Sequence, residues 1–198
     1  QKSFYQTAKF LGFGNACEIA PGMTADSGTL PELSELGVPR ALANFSFGQG
    51  KLTATPLQAA ALVNAIASGG VYTQPYLYAG EVDENLRFVD AAPARQGVRA
   101  MSEQTAALLR EFMKASADAG TGQKGRPDYG TAGVKTATAQ TGRFIGGKEL
   151  NDCWFTGFYP YENPKFVIVV FSEGGDSGGA VCGPVFREIA DGLYGYVS

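Results

Sequence analysis

An α+β fold, mainly an antiparallel sheet flanked by helices, is the class this sequence predicts, and three observations predict it. From Val134 onward the chain falls into strand-like runs at about 134–141, 152–159 and 166–172, broken at Gly146-Gly147 and at Glu162-Asn163-Pro164. Consecutive strands joined by short turns form an antiparallel meander. Upstream, Thr55-Pro56 and Ser102 each open a segment of helical periodicity, and Pro184 opens a third. Helices flanking such a sheet give a mixed domain.

The elements follow in order. Phe4, Tyr5, Ala8, Phe10 and Leu11 suit a short helix over Ser3 to Phe13, closed by Gly12 and Gly14. Residues 20–40 are rich in Pro, Gly, Ser and acidic side chains and read as a long irregular connection. At Thr55-Pro56-Leu57-Gln58 a capping hydroxyl, a first-turn proline and a glutamine able to reach back start a helix. It runs to about Ser68, has little polar face and so belongs in the core, and ends at Gly69-Gly70.

Val71 to Val89 suits strands joined by a turn. Ser102 caps the next helix, whose stripe of Thr105, Leu108, Leu109, Phe112 and Met113 stops near Gly120-Thr121-Gly122. Gly174 to Gly179 reads as a flexible crossing, and the final helix carries Val185, Ile189, Ala190 and Leu193 on one face.

Composition narrows the chemistry. A chain of 198 residues is long enough for one domain with a full core. Its net charge of -3, without a basic block, argues against nucleic acid as a partner. Histidine is absent, which removes the serine-histidine-aspartate triad and most zinc sites. Asp176-Ser177-Gly178-Gly179 therefore reads as a mobile loop, not a protease nucleophile, and Glu173 with Asp176 as solvated carboxylates. No metal and no organic cofactor are expected. Cys17, Cys153 and Cys182 lack metal-knuckle spacing, and Cys153 and Cys182 read as small buried apolar residues. No apolar run approaches the roughly 20 residues of a membrane helix.

The chemistry centres on Gly133-Val134-Lys135-Thr136-Ala137-Thr138-Ala139-Gln140-Thr141-Gly142. On a strand, Lys135 and Ala137 project to one face and Thr136 and Thr138 to the other. An edge strand there also offers backbone groups to an extended peptide. In the aromatic strand that follows, Trp154 and Phe158 share one face and Phe155 and Tyr159 the other, so at least one pair belongs to the core.

The lysine-threonine strand, the Trp154-Phe155-Thr156-Gly157-Phe158-Tyr159 strand after it, and the upstream block Phe47-Gly48-Gln49-Gly50-Lys51-Leu52-Thr53-Ala54-Thr55-Pro56-Leu57-Gln58 occur in this order. Together they resemble the C-terminal half of the transpeptidase domain of class B penicillin-binding proteins, over nearly the whole chain. The resemblance implies the partial penicillin-binding transpeptidase and serine beta-lactamase-like fold. It implies roles for Lys135, which would polarise the catalytic hydroxyl network, and for Thr138, whose N–H would donate to an oxyanion. Thr136 would bind a substrate carboxylate, with Ala137 and Gln140 beside it. The family's glycine after lysine-threonine is here Ala137, whose methyl is small enough to be tolerated.

The family's Ser-x-x-Lys nucleophile and Ser-x-Asn element occur nowhere in these 198 residues. Residues 1–198 are therefore expected to be the C-terminal portion of a transpeptidase domain, inactive in acyl transfer alone. The resemblance further implies D-alanyl-D-alanine stem peptides and beta-lactams as ligands and an extracytoplasmic location. The membrane would be engaged only through an N-terminal anchor outside this chain. An exposed half-domain surface would favour a homo-oligomer. The alternatives are a non-catalytic peptide-binding or scaffold module, or a beta-lactam sensor.

Overall fold

The computed structural model describes residues 2–197; Gln1 and Ser198, the ends of the expected domain, lie outside the described residues. Helix α1 (Lys2–Phe10) buries no residue, and its Phe4 packs edge-to-face on Phe45 at 5.1 Å. Beyond it the Gly14 N–H donates to Ser27 O at 3.1 Å.

The segment expected to be irregular is so only over residues 26–34. Strands β1 (Cys17–Ala20) and β2 (Met23–Ala25) form an antiparallel hairpin, a 3-10 turn spans Glu35–Gly37, and α2 (Pro39–Ser46) begins inside it. Strands of three or four residues show no usable period, and α2 starts without a side-chain cap, leaving Pro39 at its first position as its start signal.

Helix α3 (Pro56–Ala67) starts as the sequence predicts. Thr55 accepts from the Gln58 N–H at 3.1 Å, and Gln58 Oε1 accepts from the Thr55 N–H at 2.9 Å. The Gln58 carboxamide also donates to Gly12 O (2.9 Å) and Ser27 O (2.8 Å), so this buried polar group is fully engaged.

After α3, β3 (Val71–Tyr72) pairs with β6 (Val98–Arg99) across a long excursion. Within that excursion β4 (Gly80–Val82) and β5 (Phe88–Ala91) form a separate hairpin, the expected pair joined by a turn.

Helix α4 (Glu103–Ala119) is capped by Ser102 and ends before Gly120, as expected, but its buried face is displaced. Ala106, Met113 and Ala117 are buried, whereas Leu108 and Phe112 of the expected stripe are exposed. Small alanines, invisible to a count of bulky residues, define the contact face.

Strands β7 (Gly133–Ile145), β8 (Lys148–Tyr159) and β9 (Phe166–Gly175) form the antiparallel meander, in the order β7-β8-β9. All three run longer than expected because the pairing continues into exposed ribbon. Gly146 (φ +58°) and Gly147 (φ +80°) make the two-residue turn, a conformation that suits glycine.

The supposed flexible crossing is instead ordered. β9 continues to Gly175, and Ser177 caps the single turn α5 (Gly178–Val181). In α6 (Gly183–Gly192) the buried residues are Gly183, Phe186 and Ala190, while the expected Val185 and Ile189 are exposed. Only part of the stripe, Ala190 with the half-buried Leu193, faces inward.

Two cores cover the sheet. On one face Val134, Cys153, Phe155, Tyr159 and Ile168 meet Cys182, Phe186 and Ala190 of the C-terminal segment. On the other, Phe158 meets Val63, Ile66 and Ala67 of α3 and Met113 of α4. Both Phe155/Tyr159 and Phe158 are thus core, and Cys153 and Cys182 are buried free thiols as expected.

Candidate active site

The lysine-threonine strand lies at a sheet margin. Strand β7 pairs with β8 alone among the described residues, so its other edge offers no ladder partner from this chain. Register places Lys135 opposite Thr156, Ala137 opposite Trp154 and Thr138 opposite Cys153.

Directly opposed residues share a face. Lys135, Ala137 and Ala139 therefore lie with Trp154 and Thr156, and Thr136 and Thr138 with the α5–α6 side. That side meets them with specific partners: Thr136 Oγ1 is 2.7 Å from Thr121 Oγ1, and Thr138 Oγ1 accepts from the Gly178 N–H at 3.3 Å. The Lys135 ammonium donates to the Thr136 carbonyl and is otherwise exposed.

A cleft of about 690 Å³ opens beside this strand. The sheet supplies Ala137, Ala139, Gln140, Trp154 and Thr156, and the opposite wall is Phe13, Ala59, Phe47 to Gly50 and Leu52 to Ala54. Gln49 Nε2 reaches to 3.5 Å from the Thr138 carbonyl, bringing that wall onto the strand. Gly48 (φ +81°) and Gly50 (φ +82°) allow the segment to fold back there.

Of the residues singled out from sequence, Ala137 and Gln140 line the cleft, and Lys135, Thr136 and Thr138 flank the same strand segment without being among its lining residues. The Gln140 amide donates to Glu149 at 3.2 Å. Sequence reasoning missed Thr121 and Gly178 as partners of the strand's hydroxyls. The glycine-bounded Thr121 carried a signal only for a helix stop, and Gly178 only for a loop. It also missed Phe13, whose position depends on a distant contact.

Burial holds the Cys153 and Cys182 thiols above the ordinary range, so neither is an activated nucleophile. Among the described residues no group of three or more His, Cys, Asp or Glu side chains is arranged to hold a metal.

Comparison with known proteins places the fold in a family. The chain is 32% identical over 185 residues to the peptidoglycan D,D-transpeptidase PbpA of Mycolicibacterium smegmatis, covering 91% of this chain and 36% of that protein. It is 27% identical to the stage V sporulation protein D of Bacillus subtilis over 96% of this chain and 30% of that one. The chain thus spans about a third of the length of these two curated relatives.

Among solved structures, penicillin-binding protein A of M. tuberculosis, as its imipenem acyl-enzyme complex, superposes with a TM-score of 0.80 at 28% identity, over 98% of this chain and 42% of that chain. The D,D-transpeptidase domain of a peptidoglycan glycosyltransferase from Eggerthella lenta gives a TM-score of 0.81 at 25% identity, over 99% and 48%. The family model of the penicillin binding protein transpeptidase domain matches residues 1–191, and this chain belongs to that family.

Proposed function

We propose that this chain forms the strand-bearing wall of a peptidoglycan D,D-transpeptidase site, with the acylated serine supplied by polypeptide other than these residues. The observation that carries the reading is the unpaired edge of β7 beside an open cleft, with Lys135, Thr136, Ala137 and Thr138 along it. A stem peptide ending in D-alanyl-D-alanine adds along that edge. The cation of Lys135 and the hydroxyl of Thr136 attract its terminal carboxylate, and the Thr138 N–H stabilises the charge that develops on the attacked carbonyl.

In the assembled site the serine oxygen bonds to that carbonyl carbon, and the bond to the terminal D-alanine breaks. The serine proton ends on the leaving amine, and an amine of a neighbouring stem then displaces the serine. Beta-lactams enter as mimics of the same peptide. The location is extracytoplasmic, with membrane anchoring by a segment outside these residues. Exposed Phe112, Phe144 and Ile145, outside the cleft, would be covered by association between copies.

Two measurements test the reading. A peptide ending in D-alanyl-D-alanine is expected to bind this chain saturably, and its L,L isomer is not; equal binding of the two overturns substrate recognition. A labelled penicillin is expected to leave the intact mass unchanged, and a stable adduct would place the nucleophile within this chain. Peptide binding by the whole protein without any acylation would identify a scaffold module, and slow, stable penicilloylation without transfer a sensor.

A further inference from the structure

A second large cavity, of about 500 Å³, lies behind the far wall of the cleft. The 3-10 turn, the residues before it and α2 build it. Pro31, Leu36, Val38, Ala41 and Phe45 make its walls chiefly apolar, and Leu36 and Phe45 are buried. A concavity of this size with a few polar groups at its border is the usual form of a small-molecule site.

Its charge is uneven. Glu35, Arg40 and Lys51 are the charged side chains that line it. Lys51 is ion-paired with Glu35, whose other oxygen accepts from the Glu32 N–H at 2.9 Å. Arg40 has no hydrogen bond or ion pair among the described residues, so two cations stand against one carboxylate and the guanidinium donors stay free.

Gln49 and Gly50 line both this cavity and the cleft, so a single thickness of chain separates the two. On the cavity side that partition is pinned to α2, where the Asn44 carbonyl accepts from the Gln49 N–H at 2.9 Å and the Phe47 N–H at 3.3 Å. On the cleft side it touches β7 only through Gln49 Nε2, 3.5 Å from the Thr138 carbonyl. A contact at that length is the outer limit of a hydrogen bond and yields to a small displacement.

We infer that this cavity is a second ligand site, for an amphiphilic carboxylate, and that filling it moves Gln49 away from β7. The apolar body lies against Leu36 and Phe45, and the carboxylate takes the free donors of Arg40. An amphiphilic cation of the same length meets an unpaired guanidinium instead. Because the ligand touches the partition itself, its affinity depends on where the partition stands, which is the condition for shifting it.

Octanoate is the probe, with octan-1-ol and octylammonium as controls of equal chain length. By calorimetry at low salt, octanoate is expected to bind this chain one to one and about tenfold more tightly than octylammonium, with octanol between them. Arg40→Ala is expected to bring octanoate to the level of octanol, and Ala41→Phe, which fills the cavity, to abolish binding. Trp154, the single tryptophan, lines the cleft and reports the partition: its emission shifts on saturation with octanoate. In Gln49→Ala octanoate still binds and that shift is lost. Equal affinities, a reversed order, or binding that Arg40→Ala leaves unchanged overturns the site. Binding without a Trp154 shift, or a shift that survives Gln49→Ala, overturns the coupling to the cleft.

Discussion

On one face of the β7–β8–β9 sheet, the C-terminal segment buries Cys153, Phe155 and Tyr159 completely, whereas on the other the same strand β8 presents Trp154 and Thr156 to an open cleft. Alternation alone would make the faces equivalent. What separates them is the cover. α5 and α6 close the first face, while α3 and α4 reach only as far as Phe158 on the second. Rigidity and access are thus assigned to opposite sides of a single strand, and β7, which borders both, inherits a fixed position and a free edge.

The contrast can be broken most severely at Phe186, which is fully buried against Phe155 at a ring-centroid distance of 4.9 Å. Phe186→Ala is expected to cost about 3–5 kcal/mol of folding stability, read from the denaturant midpoint. Next comes Gly178, where a Cβ would fall 2.2 Å from the Trp154 carbonyl and 2.4 Å from that of Ala137. Gly178→Ala is expected to cost about 1–3 kcal/mol by overpacking. It would also shift the Trp154 emission, because the closed face would then press on the open one.

Trp154→Ala sharpens the comparison from the other side. The ring is half-exposed and packs on Phe171 at 4.5 Å, so a loss of about 1 kcal/mol is expected, well below that at Phe186. A loss equal to that at Phe186 would mean the two faces carry the fold alike.

The smallest effect concerns the thiols. Desolvation raises Cys153 and Cys182, so their contribution to stability is complete below the unfolded thiol value of about 8.5 and declines as pH rises past it. Native-state thiol labelling is expected to modify half-buried Cys17 first, with Cys153 and Cys182 reacting only on unfolding. Rapid labelling of Cys182 in the native state would show that the closed face opens.

The sequence made the meander and the helix starts legible because their signals are local. Thr55 with Gln58 and Ser102 with Thr105 satisfy first-turn N–H groups within three residues, and Gly146-Gly147 supplies a turn with no distant help. The edge position of Lys135 was also readable, since the meander's first strand has no earlier strand of comparable length to pair with.

The helix faces were not. Leu108 and Phe112 look more suited to a core than Ala106 and Ala117, but close approach of α4 to the sheet selects small residues. The opposite wall of the cleft was illegible for a different reason. Gln49 and Phe13 reach it through contacts between segments far apart in sequence, and no periodicity records such a contact.

Gln58 shows how far one such contact extends. Its side chain finishes the first turn of α3 and, through the carbonyls of Gly12 and Ser27, tethers the loops on either side of the β1–β2 hairpin. Phe13 follows immediately after one of these anchor points. The place of Phe13 on the cleft wall is therefore coupled to a carboxamide remote from the lysine-threonine strand.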